Sequence, residues 1–243
     1  MPGIAALPYS GKSASAAGHD SLDSALPSGP ALPGVVPSPC SYRLCQQEGG
    51  GRRKAEQFIH HRFAEAFDAD VGHFLPTLFS LRQEDGDWLA AFGIRPAGEH
   101  RKLFLESYLE QPIEAVLSAD RGQPIPRHTI VEVGNLAAKP GNTRLMIIAL
   151  TALLHREGFQ WVAFTGLPLL RNAFHRLGLA PLSLCRADKG RLPEAERDRW
   201  NRYYDHAPCV MAGHIGHGLD ALLSRPDAAA LLRRIHLPGE VAR

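Results

Sequence analysis

The stretch that most constrains the fold runs from Thr129 to Pro181. Thr129 to Ala138 is a nearly unbroken apolar run, the pattern of a strand buried on both faces. Lys139 to Asn142 follows, with Pro140 and Gly141 as turn residues. Thr143 to Gly158 then carries Leu145 to Leu150 and Ala152 to Leu154, too many apolar residues for one stripe, so the spacing predicts a largely buried helix. Gln160 to Gly166 reads as a second buried strand, and Leu169 to Leu177 as a short helix closed by Gly178 at the left-handed cap position. Two strands joined through a helix pair in parallel. The unbonded N–H groups at that helix's start, flanked here by Lys139 and Arg144, are free to meet an anion; the alternative is that Gly141 marks an ordinary turn.

The remaining elements surround this unit. Phe58, Ile59, Phe63, Ala66 and Phe67 fall at helical spacing and predict a first helix over Ala55 to Ala69. Phe74 to Gln83 and Trp88 to Arg95 read as strands joined by a hairpin at Asp85-Gly86, the second of them central because it is almost continuously apolar. Leu103 to Glu106 is a short apolar piece, and Pro112 to Ala119 a short helix with Pro near its first turn. Leu182 to Cys185 and Pro208 to Gly213 complete the strands, with a polar helical stretch from Pro193 to Tyr204 around Trp200 and a short helix over Ala228 to Ile235. This mixture predicts an α/β (α+β) fold, a mixed central sheet with flanking helices.

The 243 residues suffice for one substantial domain. Residues 1 to 50 are mostly Gly, Pro, Ser and Ala, with few large apolar side chains to offset the entropy of ordering, and are expected to be a disordered arm or an over-called start. The domain is then expected over residues 51–215, with 216–243 a C-terminal helical tail. A net charge of +2 supplies no basic field for nucleic acid. The four cysteines, at 40, 45, 185 and 209, form no Cys-x-x-Cys pair, so neither a zinc site nor a disulfide framework is expected. Met1 to Ser10 lacks the basic and apolar regions of a secretory signal, and no run of about 18 apolar residues occurs. A soluble, cytoplasmic protein is expected.

Several polar residues fall where they need a reason. Glu132 lies inside the apolar strand and must be paired, protonated or functional, because an ionised, unpaired acid there is costly. Alternation puts Glu132 on one face with Gly134 and Leu136, and Asn135 on the other; the two share a face only if a bulge intervenes, which Gly134 favours. Arg95 ends the central strand, as a rim salt bridge or as a clamp for a substrate carboxylate. Glu106 and Glu132 are candidate bases, and the structural alternative for Glu132 is a bridge to Arg95 or Arg127. His60 and His61 read as surface or packing residues, while the glycines around His214 and His217 argue against a helix or a metal pair there.

Four segments carry a resemblance: Phe104 to Leu109 (FLESYL), Ile130 to Ala137 (IVEVGNLA), Trp161 to Thr165 (WVAFT) and Leu170 to Leu179 (LRNAFHRLGL). With His73 to Pro76, Trp200 and Tyr203-Tyr204, they resemble the thermostable hemolysin family over about residues 55 to 215. That family is similar in turn to the GCN5-related N-acetyltransferase fold, close to the acyl-homoserine-lactone synthases. The resemblance implies that strand 129 to 138 leads into a pyrophosphate loop at 139 to 144, and that strand 160 to 166 splays from it to admit a pantetheine arm. It implies an acyl-CoA or acyl-carrier-protein thioester as donor, an amine as acceptor and no metal. Gly141, Asn142, Thr143 and Arg144 would hold the pyrophosphate, the edge at Leu136, Ala137 and Ala138 would pair with pantetheine, and Asn172 would position the arm. Glu132 or Glu106 would take the amine's proton, Arg95 would hold an acceptor carboxylate, and Asn135 would stand beside Glu132.

Two departures stand out. The usual loop begins with Gln or Arg and has a second small residue, whereas this chain shows Ala138, Gly141 and Thr143. Phe174 stands where many acetyltransferases place a Tyr that protonates the leaving thiolate, and Phe has no proton to give. Tyr203, Tyr204 or His175 would serve instead, or the thiolate would leave unassisted. The alternative reading is a non-catalytic acyl-binding or lytic protein on the same fold. The sequence offers neither spanning hairpins nor a membrane helix, so any lysis is expected to act through a lipid product.

Overall fold

A computed structural model describes residues 41–98 and 102–239. Its strands are β1 (Tyr42–Gln47), β2 (Thr77–Gln83), β3 (Trp88–Pro96), β4 (Ile130–Ala138), β5 (Trp161–Gly166), β6 (Leu182–Arg186), β7 (Cys209–His214) and β8 (Ile235–His236). Its α-helices are α1 (Gly49–Phe67), α2 (Ile113–Arg121), α3 (Thr143–Arg156), α4 (Pro168–Arg176), α5 (Glu194–Arg197), α6 (Ile215–Leu223) and α7 (Pro226–Leu232). The strands form one sheet in the order β6-β7-β5-β4-β3-β2-β1-β8. The pairs β4–β5 and β1–β8 are parallel and the others antiparallel, so the sheet is mixed as the sequence predicts.

Each face of the sheet has its own core. Val131, Val133, Leu136 and Ala138 of β4 pack with Leu145 to Leu150 of α3, Leu170 of α4, Ile215 and Leu222 of α6 and Ala228 of α7. Ile130 and Ala137 look the other way, toward Ile59, Phe63 and Phe67 of α1, Leu117 of α2, and Trp200, Tyr203 and Tyr204. The buried residues of α1 are Ala55, Ile59, Arg62, Phe63 and Phe67, one stripe at helical spacing.

The two ends of the chain depart from expectation. The stretch read as a disordered arm to residue 50 contains β1 and the start of α1; Leu44 is buried, and β1 pairs with β2 from Tyr42–Gln83 to Gln47–Leu78. Cys45 therefore belongs to a strand, while Cys40 lies outside the described residues. The expected tail is α6, α7 and β8, with α6 and α7 packed on α3 and β8 pairing with β1. A helix does form through Gly216 and Gly218, because Ile215 and Leu222 bury one of its faces and the His214 ring caps its first turn by accepting the His217 N–H at 3.2 Å. The strand expected from Phe74 begins at Thr77: Leu75 N–H goes to the Asn135 side chain, and Pro76 has no N–H to give to a ladder.

The strand β4 changes phase halfway along. Ala91 of β3 stands opposite Ala137 while Gly93 stands opposite Gly134, so β4 carries one extra residue between them, a β-bulge. Asn135 takes up the bulge with φ of 53°, the left-handed region, where Asn is tolerated better than most residues. Bulge and close packing go together: a Cβ at Gly93 would lie 2.7 Å from Leu75 Cβ. The bulge brings Glu132 and Asn135, which strict alternation separates, onto the α1 face together.

Candidate active site

The ladder between β4 and β5 is short. It runs from Ile130–Trp161 to Val133–Phe164 and stops, although β4 continues to Ala138 and β5 to Gly166. Beyond that point β5 stays with β7 through Gly166–Cys209, while the bulge redirects β4. A gap therefore opens between two parallel strands at their C-terminal ends, and the β4 edge from Leu136 to Ala138 faces it beyond the last rung of the β4–β5 ladder among the described residues. On the α3 face the gap adjoins a cavity of about 280 Å³ walled by Leu136, Leu150, Leu154, Phe164, Leu170 and Phe174. Phe174 stacks on Phe164 with ring centres 5.1 Å apart, so it serves as apolar wall.

At the end of β4 the chain turns through Gly141, at φ of 81°, into α3. Asn142 gives its side chain to the Pro140 carbonyl at 3.1 Å and leaves the helix start uncapped. The backbone N–H groups of Gly141, Thr143, Arg144 and Leu145 find no acceptor among the described residues, so the first turn presents donors outward. Two cations flank it. Arg144 pairs with Asp227 of α7 at 2.6 Å, and Lys139 lies 3.9 Å from Asp87.

The carboxylates divide into two roles. Glu132, 2% exposed, accepts the N–H groups of Leu105 at 2.9 Å and Phe104 at 3.1 Å, and Arg95 stands 3.6 Å away. Burial pushes its carboxyl above the ordinary range, with the two N–H donors and Arg95 only partly offsetting that. Glu106 lies on the same turn, Leu105–Ser107, but is locked into a different network. Burial pushes its carboxyl up, yet Arg127 at 2.5 Å and the N–H groups of Ile113 and Leu103 outweigh burial and bring it below the ordinary value. Arg127 also holds Glu114, so Glu106 is an ionised structural anchor rather than a base. The Arg127 bridge goes to Glu106, and Glu132 keeps Arg95.

Asn135, fully buried, accepts Leu75 N–H at 2.8 Å and donates to the His73 carbonyl at 3.3 Å, tying the segment before β2 to the bulge. Among the expected site residues, Glu132, Arg95 and Asn135 thus share the α1 face beside the gap, and Leu136 and Phe174 line the cavity. Ala137 and Ala138 lie on the open edge, with the Ala138 carbonyl accepting from buried Arg62 at 3.3 Å. Asn172 stands exposed on α4, outside the cavity wall, and does not join them. His175 is also exposed, while Tyr203 and Tyr204 are buried in the aromatic cluster on α1, with Tyr204 OH 2.5 Å from Tyr108 OH. None of these three lines the cavity beside Phe174. The cavity and the Arg127 network were not legible beforehand: each joins residues far apart in sequence with no motif between them.

Comparison with curated proteins gives no match. Solved structures are similar. A CoA-dependent acyl-homoserine lactone synthase, BjaI, solved with SAM and isopentyl-CoA, superposes with a TM-score of 0.51 at 12% identity over 84% of this chain and 96% of that one. FeeM, an N-acyl amino acid synthase from uncultured soil microbes, gives 0.47 at 16% identity over 72% and 92%. A GCN5-related N-acetyltransferase from Kribbella flavida gives 0.41 at 10% identity over 72% and 98%. The fold is that of the acyl-homoserine-lactone synthase. The family model for thermostable hemolysins matches residues 45–219, spanning the gap, the loop and the carboxylates: the chain belongs to the thermostable hemolysin family.

Proposed function

We propose that this protein transfers an acyl group from an acyl-CoA or acyl-carrier-protein thioester to an amine. The observation that carries the reading is the parting of β4 and β5 after Val133–Phe164, with open N–H groups at the start of α3 on one side and an apolar cavity on the other. A thioester donor has those three parts: a pyrophosphate or phosphate, an amide-bearing arm and an acyl chain. The helix start would take the phosphate, the β4 edge at Leu136 to Ala138 would pair with the arm, and the cavity would take the chain. The amine nitrogen would attack the thioester carbonyl, the C–S bond would break, and the sulfur would leave as thiolate. The proton shed by nitrogen would pass to Glu132, directly or through water, because its buried carboxyl suits a base near neutral pH. Arg95 would hold an acidic group on the acceptor. The proposal puts the reaction where such donors are made, in the cytoplasm.

Thiol release tests it. With decanoyl-CoA and a panel of amino acids, acceptor-dependent release of free CoA is expected, falling about 100-fold or more in Glu132→Gln with donor binding retained. Donor binding without release for any amine would overturn acyltransfer and leave acyl binding as the function.

A further inference from the structure

The cavity behind the gap has two unlike ends. Near the gap its wall is Leu136, Phe164, Leu170 and Phe174; at the other end it is lined by Arg121, His214 and His217. His214 pairs with Trp161, three residues before Phe164 on β5, so the ends lie roughly 10 Å apart at about 3.3 Å per strand residue. Three elements supply the polar end. Arg121, the last residue of α2, lays its guanidinium over the Trp161 ring at 5.0 Å, and His214, the last of β7, meets that ring edge-on at 5.3 Å. His217 of α6 stacks on His214 with ring centres 4.1 Å apart. Since His214 Nδ1 accepts the His217 N–H, the neutral His214 ring carries its proton on Nε2 and is a donor there. Two acids are near: Asp120, 3.3 Å from Arg121 Nε, and Asp220 farther along α6, both exposed.

This arrangement suits an amphiphile. Apart from Thr151 and the polar end, the cavity's side chains are apolar, so a hydrocarbon chain there loses only water contact. Its polar end gathers a guanidinium and two imidazoles, the donors that recognise a carboxylate. Burial, His217 and Arg121 hold His214 below its ordinary value, a bias that an anion at this end would reverse. We propose that this end of the cavity binds the carboxylate of an aliphatic chain whose methylenes fill the cavity, with Arg121, His214 and His217 as its donors. The carboxylate has two sources, a free fatty acid or the distal end of an ω-carboxyacyl donor. The inference does not depend on the acyltransfer reading, because the free acid needs no turnover.

Titration calorimetry of the full chain with octanoate and 1-octanol tests it. Octanoate is expected to bind at least tenfold more tightly than octanol at pH 6.5. Arg121→Gln and His217→Gln, both at exposed positions, are each expected to weaken octanoate about fivefold or more and to leave octanol unchanged. The imidazole proton resonances of His214, held below its ordinary value in the free protein, are expected to titrate at higher pH with octanoate and to stay put with octanol. A second arm separates the sources. Tighter binding of octanedioyl-CoA than octanoyl-CoA, lost in Arg121→Gln, assigns the carboxylate to a donor's distal end; preference for free octanoate alone assigns a separate ligand. Equal affinity for octanoate and octanol, or octanoate binding indifferent to both substitutions, would overturn the proposal.

Discussion

Asn135 sets the local geometry of the site. Its left-handed backbone makes the bulge, and its amide ties the segment at His73 to Leu75 across Gly93. Asn135→Ala leaves the Leu75 N–H buried without its acceptor and puts a Cβ residue with no local hydrogen bond at positive φ, so a loss of about 2–4 kcal/mol in urea unfolding is expected. Asn135→Gly relieves only the backbone part and is expected to be the milder of the two. The acids carry opposite pH signatures. Glu106 titrates below its ordinary value of 4.5 in the fold, so its contribution is complete above that pH and is lost as pH falls through the folded value. Glu132 titrates above 4.5, so the folded state keeps its proton longer than the unfolded chain, and stability declines as pH rises from 4.5 through the raised value. Unfolding measured across this range should show Glu106→Gln removing the acid-side loss and Glu132→Gln removing the decline above 4.5; unchanged slopes would contradict these assignments. A need for a partner at Glu132 was legible in the sequence, because an acid among Val131, Val133 and Ile130 demands one. The role of Glu106 was not, since Arg127 lies 21 residues away and nothing local announces it.

At the scale of elements, β4, the loop, α3 and β5 were legible almost to their ends because burial on both faces leaves long apolar runs and Gly141 marks the turn between them. The sequence could suggest the bulge through Gly134, but not its consequence, the parting of β4 and β5, which depends on β7 holding β5 from the far side. The contact of α7 with the loop was also invisible. Asp227 takes the Arg144 guanidinium at 2.6 Å, where a donor phosphate would want it. Asp227→Asn is expected to tighten CoA binding about two- to fivefold, measured by calorimetry at low salt, since an exposed acid both occupies Arg144 and repels the phosphate. Weaker binding in that variant would mean that Asp227 orients Arg144 productively.

Across the whole molecule, the sheet uses both ends of the described chain. The Gly-rich composition up to residue 50 hid β1, because a six-residue strand with only Leu44 and Gln47 fully buried leaves little periodic signal. The short α6 and α7 read as a tail, yet both cover α3, and α6 closes the cavity opposite β5. The proposed acyltransfer requires this assembled gap, loop and cavity to hold a thioester donor. Thermal unfolding of the full chain with decanoyl-CoA tests that most directly, because a ligand of the folded state alone must raise the melting temperature. At 100 times its Kd the donor contributes about 2.7 kcal/mol, a rise of roughly 5–10 °C for a domain of this size. That rise should disappear in Gly141→Trp, which forces a bulky side chain to φ of 81° in the loop. No rise with decanoyl-CoA or with a decanoyl carrier protein, or an equal rise in Gly141→Trp, would contradict the account.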